Sequence, residues 1–161
     1  MSVDPAPLPA AGRWAAQLSG WGLPPEILDQ APESPWFHDP RRFAVDDTID
    51  RDSTSSTWAR DVLPPLGGTV LDVGCGGGRS SIPLVPPATE LIGVDTSEAM
   101  LERFVAAAAA AGVARRTVTG AWPEVAERTP VADVVVCHHV AYNVVDLVPF
   151  VVALTAHARL A

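Results

Sequence analysis

The stretch Val70-Leu71-Asp72-Val73-Gly74-Cys75-Gly76-Gly77-Gly78-Arg79-Ser80-Ser81 constrains this chain more than any other. Its opening, three apolar residues and one acid, reads as a short buried strand of a parallel sheet. Four glycines in the next five positions force a sharp turn and let a ligand approach the backbone closely. Arg79, Ser80 and Ser81 read as the start of a helix, so the stretch predicts a helix N-terminus whose free N–H groups face that ligand.

The glycine spacing narrows the ligand. A dinucleotide fingerprint, G-x-G-x-x-G, would need a third glycine where Arg79 or Ser81 stands. A phosphate-binding P-loop needs a lysine, and all 11 basic residues are arginines. What remains is Asp72-x-Gly74-x-Gly76-x-Gly78, with an acid on the strand that suits a ligand cationic near the turn and repels a pyrophosphate. A second buried strand, Leu91-Ile92-Gly93-Val94-Asp95, ends in an acid 21 residues beyond Gly74. At that offset a carboxylate accepts hydrogen bonds from ribose hydroxyls. The plainer alternative is that Asp95 caps the helix opened by Thr96, Ser97 and Glu98.

Together these segments resemble motifs I and II of the class I S-adenosylmethionine (SAM)-dependent methyltransferases, the second through Val94-Asp95-Thr96-Ser97-Glu98-Ala99-Met100-Leu101. A strand over residues 132–137, followed by His138-His139-Val140-Ala141-Tyr142-Asn143, resembles motif IV. The resemblance runs from about Thr57 to Arg159. It implies an α/β, Rossmann-like three-layer sandwich with a parallel sheet in the order 3-2-1-4, the third strand being Arg115 to Thr119. Strands five to seven of the full fold have no counterpart here, so a truncated relative is expected. The resemblance also implies SAM as cofactor. Asp72 would lie near its methionine ammonium, with Gly74, Cys75, Gly76 and Gly78 around the methionine and sugar. Asp95 would hold the ribose, with Thr96, Met100 and His138 beside the cofactor. Many family members carry an acid for the adenine amine where this chain has Ala121, which leaves the Ala121 backbone and the Trp122 ring for adenine, while Trp122 reads equally well as packed core.

For the reaction itself no side chain is singled out. His138, His139 and Tyr142 are the candidates for a general base, since they leave the end of the fourth strand. Adjacent residues there point to opposite sides, so only one of the two histidines is expected to face the pocket. No metal is expected: His38 and His157 lack ligand spacing to that pair, and Cys75 and Cys137 form no C-x-x-C.

Composition limits the partners. With 48% hydrophobic and 19% charged residues the chain should fold. A net charge of -8 disfavours a nucleic-acid substrate and leaves a small-molecule methyl acceptor. No apolar run is long enough for a membrane span, no signal peptide is visible, and two cysteines make no disulfide framework, so a cytoplasmic protein with reduced thiols is expected.

Residues 1–52 read as a Pro-rich segment, loose up to about Gly12, then a short helix from Arg13 to Leu18 and a proline-started turn at Pro25. The aromatic run Trp36-Phe37-His38 follows, in a cap or lid. Residues 53–161 read as the partial cofactor-binding domain: a helix Thr57–Leu63, a short helix after the glycine turn limited by Pro83 and Pro86-Pro87, and a helix Ser97–Ala111 stopped by Gly112. A last helix, capped by Asp146, carries an apolar stripe of Leu147, Phe150, Val151, Leu154 and Ala158. With nothing beyond it, the fourth strand is expected to be a bare edge open to self-association. The leading function is methyl transfer to a small molecule. A cofactor-binding module without activity is the alternative, and a nicotinamide-dependent oxidoreductase is disfavoured by the glycine spacing.

Overall fold

The computed structural model describes residues 9–32, 39–45 and 49–161. Its strands β1 (Gly68–Val73), β2 (Ala88–Asp95), β3 (Ala114–Thr119) and β4 (Val134–Val136) form one parallel sheet in the order β3-β2-β1-β4. Its α-helices are α1 (Pro9–Ser19), α2 (Pro25–Leu28), α3 (Thr54–Val62), α4 (Glu98–Ala110) and α5 (Leu147–His157).

The two-residue period of the strands divides the core in two. Val70, Leu91 and Val134 enter one face, where α3 and α4 add Ala59, Leu101, Phe104 and Ala108. Leu71, Val73, Ile92 and Val94 enter the other, against Trp122 and the Phe150 ring of α5. This is the expected three-layer α/β sandwich. Cys75 belongs to the first core and Cys137 packs against the second, so the sheet separates the two free thiols. α4 ends as its sequence indicates: Gly112 takes φ +67°, its N–H bonds Ala109 O, and Val113 N–H bonds Ala108 O.

The largest departure follows the glycine turn. No α-helix forms there; the β1–β2 crossover is turns and one 3-10 segment, Ile82–Leu84. Pro83, Pro86 and Pro87 remove three amide donors within five residues, too many for an i→i−4 ladder. The expected N-terminal dipole behind the turn is therefore absent.

Other boundaries shift for local reasons. The N-terminal region is helical from Pro9, where loose chain up to Gly12 was expected. Trp14 Nε1 donates to Val144 O at 2.8 Å, and α1 packs against α5. α3 begins at Thr54, three residues early, because Ser53 Oγ accepts from Ser56 N at 3.2 Å. Asp146 occupies the N-cap position of α5 but makes no capping hydrogen bond, and Val151, expected on the apolar stripe, is exposed. Trp36, Phe37 and His38 lie outside the described residues.

The edge of β4 is not bare. After α5 the chain returns along it in parallel, bridging Ala132 to Ala158. Arg159 N donates to Ala132 O, Leu160 N to Asp133 O, and Val135 N to Ala161 O at 2.7 Å. These bonds satisfy groups that were expected to offer a template to another strand, and so weaken the basis for edge-to-edge association.

Asp133 clamps this corner. Its Oδ2 accepts from Thr69 N at 2.8 Å and Thr69 Oγ1 at 3.0 Å, and Arg159 Nη1 lies 3.2 Å from Oδ1. The Thr69 amide, foremost, holds the carboxyl below the usual range. A depressed folded-state pKa stabilises above the unfolded value, and that contribution disappears as pH falls through the folded one. Asp133→Ala is expected to cost about 1–3 kcal/mol at pH 7, since it strands a strand-end N–H and a hydroxyl. Denaturant titrations at pH 7 and pH 3 should show the penalty shrinking in acid; an equal penalty at both would assign it to packing.

Candidate functional site

β1 and β2 end beside each other, Val73 paired with Val94, and the chain leaving each must turn away from the sheet. A cleft of about 1130 Å³ opens there. The glycine turn forms its floor. Gly74 N and Cys75 N both donate to Val94 O, at 2.8 and 3.0 Å, which fastens the turn to the end of β2. Gly74 has φ +71°, and a Cβ on it would lie 2.3 Å from Val140 Cγ2, so only glycine lets the loop after β4 close over this point. Gly76 has φ +50°, and a Cβ there would find nothing nearer than Phe43 Cβ at 3.7 Å. That space belongs to the cleft.

Asp95 stands at the mouth. Its Oδ2 accepts from Gly76 N and its Oδ1 from Ser97 N, both at 2.9 Å. Each oxygen thus spends one lone pair on the backbone and keeps another. The helix cap proper is Ser97, whose Oγ accepts from Met100 N, so Asp95 does more than cap α4.

Of the residues singled out from the sequence, Gly74, Cys75, Gly76, Asp95, Thr96, Met100, Ala121, Trp122, His138, His139 and Tyr142 line the cleft. Asp72 and Gly78 do not. Gly78 is turned into the core, where a Cβ would meet Ile82 Cγ1 at 3.2 Å and Phe104 Cδ2 at 3.3 Å. Asp72 is fully buried beneath the turn. Its Oδ2 accepts from Ser81 Oγ at 2.7 Å, while its Oδ1 is, among the described residues, the one buried side-chain oxygen or nitrogen without a partner. Burial lifts its pKa to about 7; the Ser81 hydroxyl opposes the shift and the Asp95 charge adds to it.

The cleft takes both histidines, where only one was expected. His139 adopts φ +58°, a left-handed conformation that breaks the strand alternation and turns it to the same side as His138. Its ring meets Tyr142 edge-on, with centroids 6.4 Å apart. Burial, and then the neighbouring His139, lowers the His138 pKa and favours the neutral, proton-accepting ring. Burial also raises the thiol pKa values, that of Cys137 to about 12, so both cysteines stay protonated and are poor nucleophiles. Trp122 is nearly buried, with Nε1 donating to Phe150 O at 3.3 Å, and it also lines the cleft.

Sequence reasoning missed the opposite wall. Arg42, Phe43, Ile49, Asp50, Ser53, Ser55 and Ser56 all line the cleft. The Phe43 carbonyl lies so close to Gly77 that a Cβ there would come within 2.1 Å of it, and Arg79 Nη1 donates to Ala44 O at 3.0 Å. Arg60 Nη1 reaches Pro83 O at 2.9 Å and also donates to Arg51 O. The Ser53–Ser56 cluster was legible as a helix cap, but nothing local showed that it faces a ligand space. Among the described residues no group of three or more His, Cys, Asp and Glu is placed to hold a metal, and no helix is long and apolar enough to cross a membrane.

Solved structures share this architecture. A magnesium protoporphyrin IX methyltransferase from Synechocystis PCC 6803 with bound SAM superposes with TM-score 0.55 at 23% identity, covering 74% of this chain and 64% of that one. A SAM-dependent methyltransferase from Clostridium acetobutylicum gives 0.56 at 19%, covering 83% and 51%. Another from Thiobacillus denitrificans, in complex with S-adenosyl-L-homocysteine, gives 0.52 at 19%, covering 85% and 52%. The chain thus spans between half and two thirds of these three proteins' lengths. No curated protein matches it. At such identities the structures establish the fold alone, but the family model described as a methyltransferase domain matches residues 70–159, more than half of the sequence, and the chain belongs to that family.

Proposed function

We propose that this chain binds SAM in the cleft and transfers its methyl group to a small molecule. The observation that carries the reading is the pairing of Asp95 with Gly76: a carboxylate with free lone pairs stands beside a left-handed glycine that lines the cleft, where a Cβ would reach only the Phe43 side chain at 3.7 Å. The residues present fit the group. Asp95 would take the ribose hydroxyls, Gly74, Cys75 and Gly76 the methionine and sugar, Thr96 and Met100 the neighbouring wall, and Ala121 and Trp122 the adenine. SAM supplies a sulfonium methyl, already activated for in-line displacement, so the protein's task is to position and desolvate. The lack of an α-helix behind the turn further weakens a dinucleotide reading, because no helix N-terminus is aimed at a pyrophosphate.

On the acceptor side, His138 is the first candidate for receiving a proton, with His139 and Tyr142 beside it. The net charge of -8 and a cleft of about 1130 Å³ favour a small acceptor over nucleic acid, and a cytoplasmic setting with reduced thiols belongs to the same reading. Residues 1–52 act as a cap on the domain formed by residues 53–161, in keeping with Phe43 and Ala44 against the glycine turn.

Calorimetry tests the cofactor reading. S-adenosylhomocysteine is expected to bind at micromolar concentration and NAD not at all; NAD binding without S-adenosylhomocysteine binding would overturn it. Single-turnover assays with labelled SAM across hydroxyl, amine and thiol acceptors then separate transfer from binding alone.

A further inference from the structure

Asp72 contacts nothing in the cleft, yet it is the most perturbed carboxyl described here, and cofactor positioning by cleft residues leaves it unexplained. The strand period puts it on the face of the first core, where α3 and α4 present Ala59, Leu101 and Phe104, none of them titratable. The titratable groups acting around it are Asp95 at the end of β2 and the thiols of Cys75 and Cys137; Ser81 adds its hydroxyl. No cationic partner is among them. Its Oδ1 has neither hydrogen bond nor solvent. An ionised carboxylate so placed is costly, and a proton on Oδ1 removes that cost.

We propose that seating the α-ammonium of the cofactor's amino-acid end on the turn drives a proton off Asp72, so that binding is coupled to pH through a group the ligand does not touch. The inference rests on the cofactor reading above and adds a regulatory property to it. Asp72 lies buried below the glycine turn, where desolvation holds its proton, opposed by the Ser81 hydroxyl and with the Asp95 charge a small addition. An ammonium seated on the turn opposes that desolvation: it favours the Asp72 carboxylate, and the proton leaves to solvent. Ser81 Oγ already donates to Oδ2 and holds the anion once it forms. With a free-state pKa of about 7, the coupling lies in the neutral range.

The sign follows from linkage. The folded-state value stands above the unfolded one of 3.8, so the contribution of Asp72 to the ligand-free fold is fully present below pH 3.8 and is lost as pH rises towards about 7. Asp72→Asn, neutral and nearly isosteric, is therefore expected to raise the ligand-free melting temperature by several degrees at pH 8 and far less at pH 4. Equal shifts at both would overturn the proposal without any ligand being involved.

The ligand experiment is titration calorimetry in buffers of different ionisation enthalpy, which counts protons exchanged. S-adenosylhomocysteine, which carries the ammonium, should release about half a proton per molecule bound at pH 7 and almost none at pH 9. 5′-Methylthioadenosine, which lacks the amino-acid end, should release almost none at either. Asp72→Asn should abolish the release, and Ser81→Ala should move its midpoint to higher pH, because the hydroxyl that stabilises the anion is gone. The same proton count in Asp72→Asn as in wild type assigns the release to another group, such as His138, and overturns the proposal. Binding with no proton exchange overturns it too and leaves the cofactor reading standing, whereas no binding of S-adenosylhomocysteine at all is the failure of that reading.

Discussion

Asp95→Ala is expected to weaken S-adenosylhomocysteine binding about 30-fold or more while leaving the protein folded. Two charge-assisted hydrogen bonds to ribose hydroxyls are at stake, together about 2–4 kcal/mol. The same substitution also releases the Gly76 and Ser97 amides, which both lie 2.9 Å from the carboxylate. The two effects separate experimentally. A 2′,3′-dideoxy analogue cannot use the carboxylate, so if the ribose is the lost partner, wild type and variant should bind it alike. If the variant binds the analogue more weakly as well, the loss comes through the turn. Unchanged affinity for S-adenosylhomocysteine itself would reduce Asp95 to an anchor for the turn and α4.

Gly76→Val should abolish binding in a protein that still folds, though less stably. The backbone there sits at φ +50°, a conformation a β-branched residue adopts only under strain of order 1–3 kcal/mol. The new Cβ would touch the Phe43 side chain at 3.7 Å, and the branches beyond it would enter the cleft that both residues line and compete there with ligand. Its neighbours should behave differently. A Cβ at Gly77 runs into the Phe43 carbonyl, and one at Gly78 into Ile82 and Phe104, so Gly77→Ala should loosen the 39–45 segment and Gly78→Ala should lower stability. Calorimetry, with thermal unfolding in parallel, distinguishes the three. Normal binding by a folded Gly76→Val variant would place the ligand elsewhere.

The contrast among these three glycines shows how far local sequence reaches. Spacing made the turn legible, since glycines at alternate positions act over a few residues. It did not tell which glycine faces ligand, because that depends on Phe43, more than thirty residues away, and on Phe104 in α4. The strand order was legible for the same local reason, alternating apolar strands and helices, and so was the acid at the tip of β2.

Tertiary structure decided the rest. The helix expected after the turn gave way to a 3-10 segment because three prolines in one short crossover leave too few amide donors. Both histidines reached the cleft because the fold holds His139 in a left-handed conformation that no strand pattern announces. The edge of β4 was covered by residues 158–161 only once α5 had reversed the chain, a long-range pairing with no local signal. Asp72 reads in sequence as a ligand-facing acid, yet its burial, and with it the carboxyl oxygen left without a partner, follows from what packs over it. Hydrophobic period and glycine placement are properties of neighbouring residues and survive in a one-dimensional reading. Burial and the hydrogen bonds it demands are properties of the assembled core, and they set the chemistry of this site.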